Sequence, residues 1–236
     1  MSSFLKTTHI VAILLLSTPA GVYGEKQVAP RASHPGALDV DFRQAKSAGV
    51  ETPLHFFQLA CIHCQHDDET AAAREIRRAA KMLKKEAKKA SGKSKQAINK
   101  SANELSGLAL KFEQHIDVSI DALKMAFARA HYALAYEYQQ RAKESWLRKK
   151  AKDAGESLKA ASFHAEQGIA WIDGKTRKKT KDVFLATREL AKGLAHGTKG
   201  EIKHIGSQTN ALGKEIELFG SRILRGSERS ASGVGK

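Results

Sequence analysis

All four prolines of the chain, Pro19, Pro30, Pro35 and Pro53, fall in its first quarter, and none occurs from Leu54 to Lys236. Proline in a helix interior costs about 3 kcal/mol. So long a proline-free span permits long helices, and apolar residues recur through it at intervals of three and four, the helical spacing. The expected fold is all-α: an elongated antiparallel helical bundle with coiled-coil-like seams and about four helices.

The first helix is expected to start near Asp67-Asp68-Glu69, acids that suit a helix N-terminus. Its inward row runs Ile76, Ala80, Leu83, Ala87, Ala90, Ser94, Ala97, Ser101, Leu105, Leu108 and Phe112, the alternation of a coiled-coil seam. Gly92 falls on the outer face of that row. The reading is one helix, about 70 Å long at 1.5 Å per residue, with room for a kink at Ser91-Gly92.

A second helix carries Ile120, Leu123, Phe127, Ala130, Leu134 and Tyr138 inward and ends at Arg148-Lys149-Lys150. A third follows Asp153 and Glu156, which have capping-box spacing, and buries Ala154, Leu158, Ala161, Ala165, Gly168 and Ile172. Asp173-Gly174 closes it. The segment from Tyr132 to Trp171 resembles a single tetratricopeptide-type hairpin through Trp146, an Ala154-Gly155 turn, Leu158 and Ala161. No second copy is present, and stacked copies are what such a fold needs, so the chain is not assigned to that family. A fourth helix, from Thr176 or Thr180, has an inward row from Val183 through Thr187, Leu190, Leu194, Thr198, Ile202, Ile205, Thr209, Leu212, Ile216 and Phe219 to Ile223. Gly206, Gly213 and Gly220 recur beside it every seven residues. This is read as a seam of close helix–helix approach rather than a helix that orders only on a partner.

The N-terminus has the order of a secretory signal peptide: Lys6, the apolar run Ile10 to Leu16, then small residues up to Val22-Tyr23-Gly24. Cleavage after Gly24 is expected, with Ala20 as second choice. Seven apolar residues are far short of the roughly 20 that a spanning helix needs. The expected organisation is a signal peptide over 1–24, a mobile linker over 25–53, a helical domain over 54–225 and a disordered tail over 226–236. The expected location is exported, periplasmic or secreted.

The densest polar cluster lies between His55 and Asp68 and contains Cys61, Cys64, His63 and His66. Thiolate and imidazole are ligands for zinc and copper. A C-x-x-C pair in an exported chain also oxidises to a local disulfide, and a thiolate at a helix N-terminus gains redox reactivity. The order of preference is disulfide, metal, redox catalysis. A c-type haem site is excluded because Gln65, not His, follows the second Cys. A near phosphate loop at Gly168 to Thr176 has one residue too many between its glycines and follows a helix. A single Glu201-x-x-His204 lacks the second copy that a di-iron bundle needs. Asn99-Lys-Ser101 fits a glycosylation sequon in mid-helix. His131 and His164 flank the inward rows of helices two and three and are read as boundary residues, and Trp146 and Trp171 as core anchors.

Charge supplies the remaining clue. The chain carries a formal +15, which favours anionic partners. Between Arg74 and Lys100 eleven Lys and Arg stand against Glu75 and Glu86, whereas a solvated helix face ordinarily mixes signs. Arg74, Arg77, Arg78, Lys81, Lys84, Lys85, Lys88 and Lys89 are the expected polyanion-binding residues. The partners expected are anionic lipid, cell-wall polymer or another extracytoplasmic polyanion, and a second copy of the chain through the helix seams. The expectation is a non-enzymatic structural or binding protein. The alternative is a metal-binding or thiol-redox protein built on the Cys/His cluster.

Overall fold

A computed structural model describes residues 52–173, 176–196 and 204–232, with side chains as far as Arg225. The expected signal peptide, the linker up to residue 51 and the last residues of the tail lie outside the described residues. Within them every regular element is a helix: α1 Pro53–Gln65, α2 Glu69–Lys89, α3 Gly92–Glu113, α4 Ile120–Leu147, α5 Ala151–Asp173, α6 Lys178–Ala195 and α7 Ile205–Ser232.

The all-α expectation holds, but the described residues contain seven helices rather than about four. The single long helix is in fact a hairpin, α2 and α3, packed against each other. Gly92 explains the reversal: it sits at φ 52, in the left-handed region that costs an ordinary residue about 1–2 kcal/mol. Ala90 and Ser91 are extended on either side of the break. His115, just past α3, bonds through Nδ1 to Glu69 at the start of α2 at 2.7 Å, which fixes the antiparallel sense. Most of the inward row is nonetheless buried: Ile76, Ala80, Leu83, Ala87, Ala90, Ser94, Ser101, Leu105 and Phe112 are, while Ala97 and Leu108 are half-buried, because a row that faces one neighbour in a straight helix also faces itself when the helix folds back.

The fourth helix is likewise divided. α6 and α7 pair antiparallel: Thr180 donates to Glu215 at 2.8 Å, and Gln208 Nε2 donates to the Val183 carbonyl at 3.0 Å and Thr187 Oγ1 at 2.9 Å. Expected inward residues Thr198 and Ile202 lie outside the described residues. α7 runs to Ser232, past Gly226, where the tail was expected.

α4 and α5 form the middle hairpin, turning at Arg148–Lys150 rather than at Ala154-Gly155. Asp153 and Glu156 are therefore inside α5 and form no capping box across its start. Three helices close alike without glycine: Asp67, His115 and Lys149 have φ of 55, 54 and 58. The amide of the next residue donates back to His63, Lys111 and Ser145 at 2.9 Å in each case, the six-to-one bond of a Schellman closure.

α1 was not foreseen. Thr52 caps it, accepting from the His55 amide at 3.4 Å, and Pro53 is its first residue, where a missing N–H costs nothing. It brings Phe57 into the centre, stacked on Phe127 of α4 with ring centroids 4.2 Å apart. α4 is the hub, packing against α1, α3, α5 and α7. The seven-residue glycine row is partly explained by that hub. A Cβ on Gly213 would meet Gln139 Nε2 at 2.3 Å, and one on Gly220 would meet the Tyr132 ring at 2.7 Å, while Gly206 faces open space.

Candidate functional site

The Cys/His cluster is carried by α1 and the turn after it. Cys61 and Cys64 are free thiols one helical turn apart, both half-buried. They stand at the C-terminal end of α1, opposite to the helix end that stabilises a thiolate. Burial pushes the Cys61 thiol up to about 12, with Cys64 adding to it, and pushes Cys64 up to about 11, with Glu69 adding to it. His55 and His66 are exposed; half-buried His63 lies 3.7 Å from Asp68. Among the described residues no group of three or more His, Cys, Asp or Glu converges as a metal site.

The eight basic residues are all exposed on α2, but they divide into two sets. Arg74 and Arg78 flank buried Glu75 at 3.1 and 3.2 Å, Arg77 pairs with Glu113 of α3, and Lys89 pairs with Glu86 at 2.7 Å. The Arg77 pair holds the Glu113 carboxyl below its usual range, through the hydrogen bond first. Lys81, Lys84, Lys85 and Lys88 have no carboxylate partner among the described residues. Their spacing puts them on one solvent face of α2.

The third arrangement joins the two histidines read as boundary residues. His131 of α4 and His164 of α5 are both in the core, with Nδ1 atoms 3.0 Å apart. Burial holds both rings neutral: His131 is pushed well below the ordinary histidine value, with His164 adding to it, and His164 is pushed down to about 4 against an opposing pull from Glu86. A neutral pair at this distance shares one proton between the facing nitrogens. His131 Nε2 is buried without a partner, and an orphaned bare nitrogen is tolerated better than an orphaned N–H. His131 therefore carries its proton on Nδ1 and donates to His164, which leaves the His164 proton on Nε2.

His164 lines a cleft of about 810 Å³ between α2, α4, α5 and α6. Met82, Leu134, Tyr138 and Phe163 line it together with Glu86, Glu156, Lys159, Glu166 and Arg188. Tyr138 stacks on His164 with ring planes 14° apart and donates to Glu86 at 3.3 Å. Burial first, then Glu86, pushes the Tyr138 phenol up to about 12, so it remains a donor. Glu86 is further neutralised by Lys89 and by Arg141 at 3.6 Å, and Glu166 by Arg188 at 2.6 Å. Of the charged residues lining the cleft, Glu156 and Lys159 have no ion pair with a described residue. The signal for this cleft was present in the sequence only as two isolated histidines; Glu86 and Tyr138 carried none. No family model, curated protein or solved structure matches the chain, so its function has to be read from its own chemistry.

Proposed function

We propose that the chain is an exported, non-enzymatic protein that binds an anionic surface or polymer through the solvent face of α2. The observation that carries this reading is the row Lys81, Lys84, Lys85 and Lys88, exposed side by side with no carboxylate partner among the described residues. Ion pairing holds the flanking arginines to their own chain, whereas these four ammonium groups remain available to an outside anion. Each basic residue near an anionic membrane adds about 1 kcal/mol, and counterion release makes such binding fall as salt rises. The inner face of α2 supports the role differently: Ile76, Ala80, Leu83 and Ala87 are buried, so the helix is held in place without the lysines. Export is supported by the Lys6 and Ile10-to-Leu16 pattern.

Titration against phosphatidylglycerol and phosphatidylcholine vesicles at low and high salt tests the proposal. Wild type should bind only the anionic vesicles, at low salt. Replacing Lys81, Lys84, Lys85 and Lys88 together by Glu should abolish binding with helix content unchanged, and Arg77→Gln should matter much less. Binding to neither vesicle, or equally to both at high salt, would reduce the row to a solvated face.

A further inference from the structure

We infer that the cleft between α2, α4, α5 and α6 is a binding site for a small carboxylate with an apolar, aromatic body. The size fits, since cavities of roughly 300–1,000 Å³ hold small ligands, and this one is about 810 Å³. The lining fits an apolar body: Met82, Leu134 and Phe163 offer hydrocarbon and ring surface, beside the stacked rings of Tyr138 and His164.

The polar groups choose the head. Glu86 and Glu166 are neutralised by their own cations, which leaves exposed Glu156 as the one unpaired carboxylate of the lining. His164 has its Nδ1 engaged by His131, which leaves an Nε2 proton to donate, and the ring lines the cleft beside Met82, Leu134 and Phe163. Lys159, also on α5 and also lining the cleft, supplies an exposed ammonium with no ion pair among the described residues. A carboxylate that accepts from His164 and faces Lys159 satisfies both. Glu156, one turn before Lys159, opposes it and makes the sign of the site testable. The site is distinct from the α2 lysine row, and the α2 proposal can fail without affecting it.

Fluorescence titration of the full chain with 9-anthracenecarboxylate, backed by calorimetric stoichiometry, tests the inference. The expected result is one saturable site per chain, with the neutral 9-anthracenemethanol at least tenfold weaker. Ala160→Trp, which fills the cleft from its wall, should lower affinity at least tenfold. Lys159→Glu should weaken the acid severalfold and Glu156→Gln should strengthen it, both leaving the alcohol unchanged. Circular dichroism of each variant checks that the helices persist. The inference is overturned if the acid does not saturate at one site, if acid and alcohol bind alike, or if folded Ala160→Trp binds as wild type does. Unsaturable binding indifferent to that variant would place the probe on exposed leucines such as Leu147 or Leu185.

Discussion

His131 and His164 hydrogen-bond through their Nδ1 atoms at 3.0 Å in the interior of the α4–α5 hairpin. The pair stays neutral because burial penalises either cation; Glu86, which accepts from Tyr138, pulls His164 back up and only partly offsets burial.

Stability should therefore fall in mild acid. In the unfolded chain both histidines titrate near 6.5, while in the folded chain both are lowered and His164 titrates at about 4. Above 6.5 the pair is neutral in both states and contributes no pH dependence. As pH falls from 6.5 towards 4 the unfolded state takes up protons that the folded state refuses, so folding is progressively weakened. Between pH 7.5 and 5, His164 alone accounts for about 2 kcal/mol. Denaturant midpoints across that range should show the loss, and the double variant His131→Leu/His164→Leu should flatten it. An unchanged slope in that variant would assign the effect elsewhere. His131→Leu alone should cost about 1–3 kcal/mol at pH 7.5, because it orphans the His164 nitrogen.

Two glycines should respond oppositely to alanine. Gly107 lies inside α3 with open space around it, so Gly107→Ala should raise stability by about 1 kcal/mol. Gly155, inside α5, would place a Cβ 2.7 Å from the Ala191 carbonyl oxygen of α6. Backbone cannot swing aside, so Gly155→Ala should lower stability by about 1–3 kcal/mol. Thermal unfolding of the two variants measures both signs; a destabilised Gly107→Ala would mean that α3 packs differently from the structure described above.

In the reduced protein the Cys61 and Cys64 thiols should be sluggish. With values pushed up to about 12 and about 11, few thiolates are present at pH 8, and the thiolate is the nucleophile. Iodoacetamide should label them at least tenfold more slowly in the folded chain than in denaturant. Fast labelling of the folded chain would restore the case for redox chemistry at this pair.

The inward faces were legible from residue spacing because burial follows the side-chain row, whichever helix lies opposite. Leu123, Phe127, Leu134, Leu158, Ala165, Leu212 and Phe219 are all buried as read. Connections were less legible. Spacing puts Gly92 on the outer face of one continuous helix, whereas its positive φ decides the chain direction. Thr52-Pro53 was read as the end of a linker, although a hydroxyl cap followed by proline is a helix start. The α2 lysines were legible because exposure of a charge run is the default. The cleft was not, since His131 and His164 meet only through the pairing of α4 with α5, and Glu86 reaches Tyr138 only because α2 turns back at Gly92.

The succession of hairpins also bears on how the chain reaches its fold. α2 meets α3, α4 meets α5 and α6 meets α7 across short stretches of sequence, so each pair forms at small loop-closure entropy and the ordering of these units should be fast. The contact of α7 with α4 is of another kind: Gln139 reaches the Thr209 carbonyl at 3.3 Å across a separation of 70 residues, with Gly213 and Gly220 leaving room for the Gln139 and Tyr132 side chains. That clasp becomes favourable only after both hairpins exist. Mutations along it should therefore accelerate unfolding more than they slow folding.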